Sequence, residues 1–166
     1  MTPLQTELER VETRVLAAWV AGAAFRSRYT PSAVDYWGRR HQAVGAACQA
    51  VSRLGVAPWR NGDLSTAVLE QLSASGSLGR FWTLGDNPLV EVYVSDPDRE
   101  LGRMRELAAL ERLRRELESA VSLMGPESDL SRVRTGLAES LARATATEPL
   151  RVITEAEGIA AVLADS

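Results

Sequence analysis

The chain has 166 residues with 19 basic and 22 acidic side chains, a formal charge of −3, one histidine and one cysteine. That length fits one domain, or one domain with a helical extension, and can bury a core without staples. The lone Cys48 excludes an intramolecular disulfide. Every basic residue is arginine, which excludes Schiff-base and P-loop lysine chemistry. Glu7, Glu9 and Glu12 argue against a signal peptide. The longest apolar run, 15–25, falls short of the ~20 residues that span a bilayer. A cytoplasmic chain without a membrane partner is expected.

Charge is segregated. Residues 26–60 hold six arginines against Asp35 alone, whereas residues 96–166 hold ten arginines against fourteen acids. A basic segment in an acidic chain points weakly to an anionic partner; a solvated arginine face explains it equally well.

The first helix is predicted from Pro3 to about Tyr29, capped by Thr2 with proline at its first position. Leu4, Leu8, Val11, Val15, Ala18, Gly22, Phe25 and Tyr29 give it a heptad seam. A second helix is expected from Pro31 to about Leu54, with Val34, Trp37, His41, Val44, Cys48 and Val51 on one face. The short connection implies an antiparallel helical hairpin. Residues 56–62 read as a loop. Asp63 opens a third helix to about Ala74, with Leu64, Ala67, Val68 and Leu72 inward.

Residues 81–84 and 89–94, flanking the Gly85-Asp-Asn-Pro88 turn, predict a β-hairpin in which Val90, Val92 and Val94 share one face. A long helix follows, with Ser95 and Asp98 as a capping box and a stripe through Met104, Leu107, Leu110, Leu113, Leu117, Val121 and Met124. Gly125-Pro126 ends it. A further helix spans about 129–144 with Leu130, Val133, Leu137 and Leu141 inward; a short apolar stretch at 150–153 and a last helix at 154–163 complete the chain. The expected fold is mostly α: a helical bundle with a winged helix-turn-helix and long flanking dimerisation helices. Residues 1–125 form its main body and 126–166 a C-terminal extension.

Leu54-Gly55-Val56, followed by Leu72-Ser-Ala-Ser-Gly76, Leu78 and Arg80, resembles the helix-turn-helix and wing entry of MarR- and PadR-type regulators. The likeness covers about residues 44–95. It implies a dimeric DNA-binding regulator, with the third helix in the major groove of duplex DNA. Arg60, Asn61, Ser65, Thr66 and Gln71 would meet bases or phosphates, Arg80 would hold phosphate beside the wing, and Arg39, Arg40 and Arg53 would add phosphate contacts. The loop 57–62 is longer than the usual turn, the third helix carries no basic residue, and the wing tip carries none. These departures keep open an alternative: a non-enzymatic helical interaction or scaffold protein that uses the winged helix as a protein-binding unit.

His41 and Cys48 lie seven residues apart on one predicted seam, about 10 Å along the axis. That is too far for a thiolate–imidazole pair or for shared metal ligation. A buried, hydrogen-bonded histidine is the leading reading, and a ligand pocket bordered by Trp37, His41 and Cys48 is the other. The acid pairs Glu7/Glu9, Glu116/Glu118 and Glu155/Glu157 do not share a helix face, and no nucleophile–histidine–carboxylate pattern is evident. Catalysis, a metal and a cofactor are not expected.

Overall fold

The computed structural model describes residues 1–55, 61–83 and 85–146. Among them the regular elements are all helical: α1 (Pro3–Ala21), α2 (Ala23–Arg26), a 3-10 turn (Ala33–Asp35), α3 (Arg39–Ser52), α4 (Asn61–Ala74), α5 (Ser77–Phe81), α6 (Pro97–Ser122) and α7 (Leu130–Ala146). The chain divides into two compact units, Met1–Met104 and Arg105–Ser166, with the boundary inside α6.

In the first unit α1 begins as its sequence dictates. Thr2 accepts from the Gln5 amide while the Gln5 side chain accepts from the Thr2 amide, closing a capping box ahead of Pro3. Leu8, Val11, Val15 and Ala18 are buried along the predicted seam. The helix does not run to Tyr29. Gly22 adopts an extended conformation (φ −125°, ψ 109°), which ends α1 and opens the single turn of α2. Arg26 folds back across this break, and its Nη1 donates to the carbonyls of Trp19 and Val20 at 3.0 and 2.7 Å. A guanidinium therefore satisfies carbonyls that the end of α1 leaves unpaired.

The second predicted helix is also shortened, because α3 starts at Arg39 rather than Pro31. Residues 31–38 are drawn into a local polar cluster. The Ser32 amide donates to Asp35 Oδ2 at 3.1 Å, the Tyr29 hydroxyl donates to the same oxygen at 3.1 Å, and the Tyr29 and Tyr36 hydroxyls lie 2.8 Å apart. Val34 consequently points to solvent and Trp37 lies ahead of the helix instead of on its seam. From His41 onward the prediction holds: His41, Val44, Cys48 and Val51 are buried. Gly45 lets α3 approach the preceding turn. A Cβ there would sit 2.7 Å from the Ser32 carbonyl oxygen and 2.8 Å from the Tyr36 ring. Helix α4 buries Leu64, Val68 and Leu72, as expected, and packs on α3 and α1.

The expected hairpin is not formed; the described residues contain no strand. Gly76 closes α4 in the left-handed conformation (φ +76°), but Ser77–Phe81 then make α5, which packs on α4 and α3. Packing of this turn outweighs the strand preference of Phe81-Trp82-Thr83. At the expected Gly85–Pro88 turn, Gly85 lies at φ +96° and the Asp86 amide donates to the Thr83 carbonyl at 3.0 Å. Residues 89–94 leave it without a strand to pair with. The winged part of the expected fold is thereby overturned, and a helical bundle remains.

Helix α6 is capped by Asp96, whose side chain accepts from the Arg99 amide at 3.1 Å, not by the predicted Ser95/Asp98 box. Its first turns are tied to α1 and to the turn just past α2 by Arg14–Glu100 (2.8 Å), Arg28–Asp98 (2.9 Å) and Arg103–Glu7 (3.4 Å). In the second unit α6 and α7 are bridged by Arg143–Glu116 at 3.0 Å. Leu130 and Leu141, predicted to face inward, are exposed, whereas Val133 and Leu137 are half-buried. The predicted strand at 150–153 and helix at 154–163 lie outside the described residues. No helix among the described residues is long and apolar enough to cross a membrane.

Candidate functional site

Of the residues proposed to contact DNA, Arg60 lies outside the described residues and the side chain of Asn61 is not described. Thr66 is exposed on α4, but Ser65 is half-buried and borders a cleft of about 450 Å³ against Ala17, Val20 and Ala21 of α1. Gln71 is half-buried. The outer face of α4 carries the exposed acids Asp63 and Glu70. Arg80 sits on α5, its guanidinium 5.1 Å from the centre of the Phe81 ring. Arg39 and Arg40 are exposed in the first turn of α3, where Arg40 pairs with Glu9 at 3.0 Å, and Arg53 is exposed just past its end. These residues therefore sit on several elements, and α4 itself offers no cation to a phosphate backbone.

The proposed Trp37–His41–Cys48 group is replaced by a different constellation. Glu12 on α1 is wholly buried, and its carboxylate accepts from the amides of Trp37 and Gly38 and from His41 Nδ1 (2.9 Å). It meets the N-terminus of α3, where backbone amides and the helix dipole favour a negative group. On the other side of the ring, Nε2 lies 3.0 Å from the Thr13 hydroxyl, which also lies 3.0 Å from the Glu9 carbonyl. The Thr13 hydroxyl has one proton to donate. If it bonds the Glu9 carbonyl, Nε2 must donate to Thr13; if it bonds Nε2, the ring is the neutral Nδ1–H tautomer.

The order carboxylate–imidazole–hydroxyl is that of a nucleophilic triad. Here its members clamp two helices together: Glu12 and Thr13 are neighbours on α1, and His41 rises from α3. The cleft beside them, about 260 Å³, is lined by Thr13, Arg40, His41, Trp82 and residues 86–90. Its polar groups are already engaged with the protein: Arg40 with Glu9, Asp86 with the Thr83 hydroxyl and amide, and His41 with Glu12 and Thr13. Neither Trp37 nor Cys48 lines it. Cys48 is fully buried, and that burial pushes its thiol well above the ordinary range, leaving it a small core residue. The described residues contain no group of three metal-ligating side chains.

Sequence reasoning missed Glu12. The signal was present: positions 8, 11, 12 and 15 make one i, i+3, i+4, i+7 stripe, which places a carboxylate among buried apolar residues. The same pattern marks Glu111, which follows Met104 and Leu107 and is buried with Arg114 (2.8 Å) and Arg115 (3.1 Å) as its partners.

The largest unspent chemistry of the second unit is apolar. On α6, Leu110, Leu117 and Val121 are 51, 38 and 60% exposed, with Leu113 half-buried between them. Leu123, Met124 and Leu130 continue the exposed row through the connection to α7. A cleft of about 320 Å³ opens there among Ala120, Leu123, Met124, Val133 and Gly136, edged by Glu127, Asp129 and Arg132. Single exposed leucines are ordinary, whereas exposed apolar residues that repeat at helical spacing call for an explanation. Comparison with protein-family models, curated proteins and solved structures finds no match.

Proposed function

We propose that this chain is a non-enzymatic helical interaction protein that self-associates along the apolar row of α6. The observation that supports it is the exposure of Leu110, Leu117 and Val121 at three-, four- and seven-residue spacing around Leu113. That is the spacing at which one helix receives another. Covering a half-exposed Leu or Val contributes about 1 kcal/mol. The row from Leu110 to Leu130, present on both copies, then supplies on the order of 10 kcal/mol, against an association cost of about 4–15 kcal/mol. Association should therefore be reversible and concentration-dependent. Leu117→Glu places a charge in the middle of the row. Sedimentation of the wild-type chain should give a mass that rises with concentration, and Leu117→Glu should abolish the part due to α6. An unchanged concentration dependence in that variant would rule out the α6 contact.

Duplex DNA is the second reading, supported by the exposed guanidiniums of Arg39, Arg53 and Arg80. It lacks a wing, and α4 presents Asp63 and Glu70. Salt-dependent binding to random duplex DNA, flattened by Arg39→Ala with Arg53→Ala, would favour it. No binding at low salt would leave the interaction reading alone.

A further inference from the structure

Residues 90–94, Val-Glu-Val-Tyr-Val, carry the strongest strand preference in the chain, yet belong to no helix or strand. No backbone hydrogen bond joins any of them to another described residue. Leu89 before them anchors the segment: it is buried, and its amide donates to Asn87 Oδ1 at 2.9 Å. Asp96 after them caps α6. Both ends are thus fixed, and the five residues between them, which would reach about 17 Å when drawn out as a strand, leave their amides and carbonyls unused by the described residues. Such a row is a template for another strand. From Glu91 onward the side chains alternate, with Glu91 and Tyr93 exposed (Tyr93 by 87%) and Val92 and Val94 half-buried; Val90 at the start is exposed.

We propose that this segment pairs with the same segment of a second copy of the chain, as an antiparallel two-stranded ladder centred on Val92. The occupant follows from the sequence of the segment, because it complements itself. Centred on Val92, the two copies of Val92 face each other, Val90 faces Val94 of the second copy, and Glu91 faces Tyr93 of the second copy. Each contact occurs twice by symmetry. Apolar residues meet apolar ones, and each carboxylate meets a phenol that can donate to it. Centring on Glu91 would set two carboxylates opposite each other, and centring on Tyr93 would set Val90 opposite Asp96. A shift by one residue would exchange the two faces. This contact is separate from the α6 row and does not depend on it.

The test uses the full chain carrying Leu117→Glu, so that association along α6 does not contribute. Val92→Cys in this background should form a disulfide-linked dimer on mild oxidation, at least about ten-fold faster than Glu91→Cys, whose copies lie on a diagonal. The buried Cys48 does not compete. Tyr93→Glu, at an exposed position, sets two like-charge pairs across the ladder and should weaken the dimer by about ten-fold. Adding Glu91→Lys should restore it. Equal cross-linking at the two positions, or a dimer indifferent to Tyr93→Glu, would overturn the pairing. A chain that loses self-association with Leu117→Glu yet cross-links no faster at Val92 would retain the α6 contact and refute this one.

Discussion

Removing the Glu12 carboxylate tests how the first unit is held together, and two substitutions should separate its charge from its hydrogen bonds. Glu12 accepts from the Trp37 amide, from the Gly38 amide at 3.3 Å and from His41 Nδ1 at 2.9 Å, and it is fully buried. Glu12→Ala takes an acceptor from all three donors. A buried donor left unsatisfied costs about 1–3 kcal/mol, and the long Gly38 contact belongs at the low end. The loss should total about 4 kcal/mol, within the 3–5 kcal/mol typical of breaking a buried charged contact. Glu12→Gln is different. Its carbonyl can take the Trp37 amide while its NH2 donates to His41 Nδ1, provided the ring carries its proton on Nε2 and donates to Thr13. Thr13 then donates to the Glu9 carbonyl, and only the weak Gly38 contact is lost. The cost should be about 1–2 kcal/mol. Trp19, Trp37 and Trp82 lie in the first unit, so tryptophan fluorescence in urea reports on its unfolding. With a slope of about 2 kcal/mol per molar, alanine should move the midpoint by about 2 M and glutamine by less than 1 M. An alanine variant within about 1 kcal/mol of wild type, or a glutamine variant as unstable as alanine, would refute this account of the network.

Gly45→Ala should cost about 1–3 kcal/mol in the same assay, because its methyl would enter contact space held by the Ser32 backbone and the Tyr36 ring; a neutral or stabilising result would mean that the turn yields. Arg10, bonded to both oxygens of Glu7, together with Arg103, holds that carboxyl at about 2 against an ordinary 4.5. A lowered native pKa stabilises above the unfolded value, so this contribution should be complete above about pH 5 and lost as pH falls through 4.5 towards 2. Glu7→Gln should flatten that stretch of the stability–pH curve, and a curve unchanged by the substitution would contradict the assignment. Cys48 should resist a thiol-specific reagent at pH 8 in the native chain and react at the rate of unfolding; immediate modification would place it at an accessible surface.

The parts of the fold legible in the sequence are those set by local rules. The Thr2 cap, the α1 stripe from Leu8 to Ala18, the α3 stripe from His41 to Val51 and the α4 stripe from Leu64 to Leu72 all follow from helical periodicity. Periodicity did not reveal the break at Gly22, where Arg26 supplies the missing bonds, or the late start of α3, which depends on the Tyr29–Asp35–Tyr36 cluster and on Glu12. Phe81-Trp82-Thr83 and Val90–Val94 both favour strand, but a hairpin needs both. Once Ser77–Phe81 packs as a helix on α3 and α4, the second segment has no mate among the described residues. The predicted Trp37–His41–Cys48 group assumed one continuous helix through all three; with α3 starting at Arg39, His41 turns instead to Glu12 and Thr13.

Amide hydrogen exchange at two protein concentrations tests self-association along α6 at the surface itself. Peptides covering residues 110–122 should exchange more slowly in the concentrated sample of the wild-type chain, and at one rate in both samples of Leu117→Glu, while α3 and α4 remain unchanged in each. Exchange across 110–122 that is independent of concentration in the wild-type chain would contradict self-association along this helix.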